Sequence, residues 1–300
     1  MRLLAAELRK LRRPLLWGTT LAAMAFFVLL AWGATQNAAS SVQSPRLPND
    51  CSTVMTPVCT AQLEQEQAQG TAGSLDVVRL ENPGGAGRVA AGMLASVPGV
   101  VIVALLAGAH AGGEWSGGTI RTVLTHDGRR LRFLAAKWLS LWLAAVGVTV
   151  VCWIALGLAG PALAGAYHLP GSAAGAFGGI AGSATQLARA SVVLGLFTLV
   201  GVAAAAVTRN TVGTIAVVVG LFVVALIVGG IPAVAHYSPA TSIQAWMNFT
   251  AKGFLPTNFW SRFESPSAVV TSRVGLAGIA VSALAAAGVG AWRVRADITA

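Results

Sequence analysis

Charge is scarce in this chain. Of its 300 residues only 10% are Asp, Glu, Lys or Arg, against about 25% in soluble domains. A mean hydropathy of +0.72 gives most of the chain lipid as its solvent. Lysine occurs only at Lys10, Lys137 and Lys252, and none follows a glycine, which excludes a phosphate-cradling P-loop. Three cysteines are too few for a disulfide-built scaffold or a cysteine zinc site. The four histidines, His110, His126, His168 and His236, stand far apart and form no HExxH pair. Neither a metal ligand set nor a paired nucleophile and base is visible, so any ATP this protein uses is bound by another chain.

What is abundant is uninterrupted apolar sequence. A hydrocarbon core of roughly 30 Å takes about 20 apolar residues of helix, and six segments meet that length: 14–35, 89–111, 133–158, 187–207, 212–235 and 266–292. The first has an apolar run longer than a signal-peptide h-region, which favours a retained span. The expected fold is an all-α membrane protein of six transmembrane helices. The net charge of +10 sits in short clusters between these runs, which is a topology signal and no nucleic-acid stripe. One side holds thirteen Lys and Arg: Arg2, Arg9, Lys10, Arg12, Arg13, Arg121, Arg129, Arg130, Arg132, Lys137, Arg209, Arg293 and Arg295. The other side holds seven. The positive-inside rule makes the richer side cytoplasmic, so both termini, including the tail 293–300, face inward.

The connecting segments divide accordingly. Residues 1–13 place Leu4, Leu8 and Leu11 on one helical face and Arg9, Lys10, Arg12 and Arg13 elsewhere, the pattern of an interfacial elbow helix on anionic lipid. Residues 36–88 are polar and read as an external loop. Within it Cys51 and Cys59 fall in an oxidising compartment, where a disulfide is expected. Residues 237–265 read as a re-entrant segment. There Ser238-Pro239 starts a short external helix, with Ile243, Trp246 and Met247 on one face, dipping into the outer leaflet. Arg88, Arg189 and Arg273 open, or lie shortly inside, spans entering from outside; they either line the outer mouth of a substrate path or, the favoured reading, snorkel to lipid phosphates. Trp142 and Trp153 read as lipid-facing or core packing, Cys152 as a small buried apolar residue, and His110 as a hydrogen-bonded packing histidine.

Residues 112–132 carry the most specific pattern: Gly113-Glu114-Trp115, then Gly118-Thr119-Ile120-Arg121, then Arg129-Arg130, Arg132 and Ala136-Lys137. The glycines are read as closing the second span, and Asp127-Gly128 as a turn. Glu114 has exposed helix N–H groups or Arg121 as its expected partners. The combination resembles the first cytoplasmic loop of ABC-2 type exporter permeases, and Ala6 to Pro14 resembles the elbow helix of that family.

The resemblance implies that this loop is a coupling helix seated in a groove on a separate ATP-binding cassette ATPase, with Glu114, Thr119, Ile120, Arg121 and Leu124 as contacts. Arg9, Lys10, Arg12, Arg13, Arg129, Arg130, Arg132 and Lys137 would anchor the inner interface. It also implies a second permease copy or paralogue, ATP and Mg²⁺ bound only by the ATPase, a bacterial cell membrane, and export of an amphipathic or lipid-like substrate such as a drug, peptide antibiotic, lipid or glycan. An ion-coupled secondary transporter is the rival reading. It fits less well because all ten acids lie outside the spans or at their ends, and no pair of Gly/Pro-interrupted helices is visible in matching halves. A non-transporting anchor subunit is a third reading.

Overall fold

The computed structural model describes residues 14–43, 57–118, 130–169, 180–229, 231, 238–247 and 272–296. The elbow segment 1–13, the loop core 119–129 and residues 266–271 lie outside them. The described residues form nine helices: α1 Pro14–Gln43, α2 Pro57–Glu81, α3 Pro83–Leu94, α4 Val97–Ser116, α5 Arg130–Ala166, α6 Ile180–Thr208, α7 Thr211–Gly229, α8 Pro239–Met247 and α9 Ser272–Ala296. Five of them, α1, α4, α5, α6 and α9, contain stretches long and apolar enough to cross a membrane, while the apolar stretch of α7, Thr211–Ala225, is shorter. The described residues thus carry five candidate spans where the sequence predicts six.

Helix α6 is the axis of the bundle. It packs against α3, α4, α5, α7 and α9, and its Ala190, Val193, Leu194 and Ala205 are fully buried. Small residues let its neighbours come close. A Cβ on Gly201 would run into the carbonyl oxygen of Ala104 and lie 2.9 Å from the backbone nitrogen of Gly108, while one on Gly290 of α9 would lie 3.2 Å from Ala203. Such close backbone approach is the main source of helix association in lipid, where no hydrophobic effect separates one apolar surface from another. Polar ties add to it. Trp138 and Trp142 stack face to face at 5.7 Å and donate their indole N–H groups to the carbonyls of Gly195 and Ser191, each at 2.7 Å. Trp153 donates to Pro83 O at 2.7 Å. Trp142 and Trp153 pack as expected, and each also ties α5 to a neighbouring helix. Interhelical side-chain bonds in membranes average about 0.6 kcal/mol, so they refine the packing that the small residues permit.

Three expectations change. The segment 36–88 is not a plain loop. Helix α1 runs on to Gln43, with Ser40 and Ser41 hydroxyls donating to Asn37 O and Ala38 O, and α2 occupies Pro57–Glu81. The Gln, Glu, Ala and Leu of α2 are good helix formers; their polarity argues against burial in lipid and says nothing against helix. Val77 and Val78 pack on Ala38, Ala39 and Ala164, and Gly70 brings α2 onto the Ser41 carbonyl.

The second span is interrupted. Residues 89–111 do not form one helix, because Pro98, which has no N–H and restricts Val97, breaks it into α3 and α4 at Ala95-Ser96. Asn82 caps α3, its Oδ1 accepting from Gly85 N–H at 2.7 Å. The single span expected over 89–111 is therefore two helices.

The third change concerns the glycines of the loop motif. Helix α4 passes through Gly112 and Gly113 and ends at Ser116, with Gly118 at φ +71° as its left-handed terminator. The connection between α4 and α5 therefore spans 117–129 and not 112–132.

The short helix expected after Ser238-Pro239 is α8. Its Ile243 and Met247 are buried with Val193 and Ile279, with Trp246 packed alongside. Gln186 donates to Met247 O at 2.8 Å, and Trp246 donates to Arg189 O at 3.0 Å, so α8 is fastened to α6. Gly275 and Gly278 of α9 seat directly on Ser242.

Candidate functional site

Two features stand out in the described residues: a cluster where α4 and α5 meet their connecting loop, and a partly open apolar cavity between five helices.

The cluster is built on the last turns of α4. Glu114 is 6% exposed and Lys137 is 1% exposed, and Glu114 Oε2 lies 2.5 Å from Lys137 Nζ. His110, one helical turn earlier and half-buried, places Nε2 4.0 Å from Glu114 Oε1. Taking two charges out of water costs several kcal/mol per ion, and only a close, well-oriented partner offsets it. Removing one partner leaves the other buried and uncompensated, which costs roughly 3 to 5 kcal/mol.

This geometry corrects two assignments. Glu114 is directed into the protein and is not a surface contact, because its carboxylate lies against Lys137; Arg121 lies outside the described residues. Lys137 is not a lipid anchor, because its ammonium is buried against that carboxylate. Arg132, by contrast, is exposed, as an interfacial side chain must be, and Arg130 begins α5. Arg9, Lys10, Arg12, Arg13, Thr119, Ile120, Arg121, Leu124 and Arg129 lie outside the described residues.

The other side of α4 meets the turn between α6 and α7. Trp115 is buried, and the Arg209 guanidinium carbon lies 5.8 Å from the centre of its ring. Arg209 adopts φ +58°, a left-handed position that turns the chain out of α6. Asn210 then caps α7, its Oδ1 accepting from Gly213 N–H at 2.5 Å, while Thr214 Oγ1 donates to Asn210 O at 2.6 Å and shares a 2.8 Å bond with Thr208 Oγ1. Glycine gives this turn its closest approach: a Cβ on Gly112 would lie 3.0 Å from Asn210 O and from Thr211 Cα, so the turn would have to shift by a few tenths of an ångström. The end of α4 is thus gripped by α5 on one side and by the α6–α7 turn on the other.

The cavity has a volume of 530 Å³ and lies between α4, α6, α7, α8 and α9. Val100, Ala104, Phe197, Ala204, Leu221 and Ala286 contribute to its walls, and Ser282 is the one lining residue with a polar side chain. Its size suits a drug-sized or acyl-chain ligand, and its walls offer such a ligand dispersion contact and almost no hydrogen bonding.

Among the described residues no group of His, Cys, Asp and Glu could hold a metal ion. Cys152 is free and buried, and His110 has the packed position expected of it. Cys59 is disulfide-bonded, while Cys51 lies outside the described residues. Arg88 lies exposed along Gly182, Arg273 is exposed, and Arg189 stacks over Trp246 at 5.7 Å.

The signal for the packed face of α4 was present in the sequence as Ala104, Gly108 and Gly112, small residues four apart. The pairing of Glu114 with Lys137 had no comparable signal, because it depends on how α4 and α5 are rotated about their axes.

A family model described as ABC-2 family transporter protein matches residues 1–253. No curated protein and no solved structure matches the chain.

Proposed function

This chain belongs to the ABC-2 transporter family, as a multi-pass membrane permease whose family implies association with an ATP-binding cassette subunit, and on that premise we propose that it is the transmembrane half of an ATP-driven exporter of amphipathic or lipid-like molecules. Two such chains, or this one and a paralogue, pair across the membrane above two ATPase subunits, which alone bind ATP and Mg²⁺. The 117–129 connection docks on the ATPase, with Thr119, Ile120, Arg121 and Leu124 as its contacts. Arg9, Lys10, Arg12, Arg13, Arg129, Arg130 and Arg132 hold the inner interface against anionic lipid.

The observation that carries the substrate class is the cavity. Its walls, drawn from helices α4, α6, α7, α8 and α9, are apolar but for Ser282, which suits an aliphatic or aromatic body and penalises a desolvated polar one. Replacing Ala204 and Ala286 together by phenylalanine fills this space from two walls. Transport of a fluorescent lipid analogue then falls by roughly tenfold or more, while the ATPase still copurifies. Unchanged transport in that variant removes the cavity from the substrate path.

Orientation follows from the cation count, with both termini and the 117–129 connection in the cytoplasm and α2 outside. The partner of Cys59 is then Cys51, since Cys152 is the chain's remaining cysteine and is free. A membrane-impermeant maleimide applied to intact cells leaves both thiols unlabelled until an impermeant phosphine reductant is added, and then labels both. Labelling without reductant abolishes the bridge; labelling only after permeabilisation inverts the topology. The short loop contributes only about 2 to 3 kcal/mol by the chain-entropy model, so a Cys51→Ser/Cys59→Ser variant still inserts.

A further inference from the structure

We propose that Glu114 and Lys137 are a positioning pair: their buried contact closes the base of the 117–129 connection and sets the spacing of its two stems. The connection leaves α4 two residues after Glu114 and re-enters the bundle at Arg130, two helical turns before Lys137. A pair joining these two positions acts on the loop as a clasp acts on a strap. Few other contacts join α4 to α5, because α4 packs chiefly on α6 and α7, and α5 on α1, α3 and α6. The charge pair at 2.5 Å adds a polar link to the apolar cluster that Ala111 and Trp115 of α4 share with Phe133 and Leu141 of α5 beside it.

Burial gives the contact its directional strength. At the surface such a pair is worth little, whereas at 6% and 1% exposure water does not compete for it, so separating the stems costs a buried contact between opposite charges. His110, 4.0 Å from the same carboxylate, backs it from inside α4.

The clasp also has an output. Helix α4 carries Trp115 against Arg209 and Gly112 against the Asn210-Thr211 turn. A force applied to the loop is thereby delivered as movement of α4 against the α6–α7 turn, and from there to the cavity walls that α4, α6 and α7 provide. This functional role rests on the reading of the loop as the ATPase docking element; the geometric role does not.

The test separates the two. In a Cys152→Ala background with the external bridge oxidised, Ser116→Cys and Leu131→Cys, both exposed, carry spin labels on the two stems of the purified full-length permease. Glu114→Gln and Lys137→Met each broaden and lengthen the interlabel distance distribution. Glu114→Asp and Lys137→Arg retain it, and the exchanged pair Glu114→Lys/Lys137→Glu restores it. In the complex with its ATPase, the two neutralised variants lose coupling, with transport per ATP hydrolysed falling roughly tenfold or more, and the exchanged pair regains most of it. A narrow, unshifted distance distribution in both neutralised variants overturns the positioning role. Altered distances with intact coupling uphold that role and overturn the docking reading on which its function rests.

Discussion

An Ile120→Asp/Leu124→Asp permease inserts, folds and pairs with its second copy but no longer retains its ATPase. The two side chains are four residues apart, so in a helical docking element they share one face. Aspartate at both positions brings two carboxylates to a surface that must lose its water on assembly. Burying an unpaired charge costs several kcal/mol, and every 1.4 kcal/mol is about tenfold in affinity. Two such penalties exceed what one protein–protein contact of ordinary affinity can absorb. The variant is checked by tagging the permease and measuring how much ATPase is recovered with it. Loss of the ATPase with unchanged permease yield is the expected result, and full recovery with normal transport contradicts the docking assignment. Substitution of Arg129 or Arg130 is a useful contrast, because a cation at an anionic surface is worth only about 1 kcal/mol.

Gly201→Leu has the second large effect, on folding. Its missing Cβ is the space through which α6 reaches the backbone of α4 at Ala104 and Gly108. The obstructing atoms are backbone, so no side-chain rotation relieves the collision, and the helices must separate along the most extensively packed pair in the bundle. Overpacking costs typically 1 to 3 kcal/mol, and here about 3 kcal/mol or more is expected because two backbones must move. Gly147→Leu is the control. A Cβ at Gly147 has no neighbour within 4 Å, and its cost is within about 1 kcal/mol. Thermal denaturation of detergent-purified protein, followed by size-exclusion chromatography, ranks the two. Equal stability of Gly201→Leu and Gly147→Leu refutes the account of α4–α6 packing.

Much of the membrane architecture was legible because lipid imposes a length and a composition on anything that crosses it. Helices α1, α4, α5, α6 and α9 fall inside or across the expected spans, and the proline start of α8 was visible in Ser238-Pro239. Helix α2 was missed because hydropathy separates lipid from water and not helix from loop; its polar, Gln-rich stretch holds helix propensity that a span search ignores. The α3–α4 break was hidden for the opposite reason. Ser96-Val97-Pro98 is a clear start signal, but it stands in an apolar run that satisfies the span template without a break. At the candidate site the motif brought Glu114 and Lys137 to notice, and the family resemblance assigned them outward roles. Their actual facing was set by tertiary packing, which turns both toward each other and out of solvent. Trp115 follows the same lesson, since an indole near a span end stays at the interface only when no neighbouring turn, here Arg209, covers it.

The central claim is that this permease moves an amphipathic substrate only when a separate ATPase drives it. The direct measurement is translocation of a fluorescent lipid analogue across proteoliposomes containing the purified permease, with and without its copurifying ATPase, in the presence of Mg·ATP and then of ion gradients alone. Transport that requires both the ATPase and hydrolysable ATP, and is indifferent to ion gradients, is the predicted result. Transport by the permease alone, driven by a proton or sodium gradient and insensitive to ATP, would contradict it.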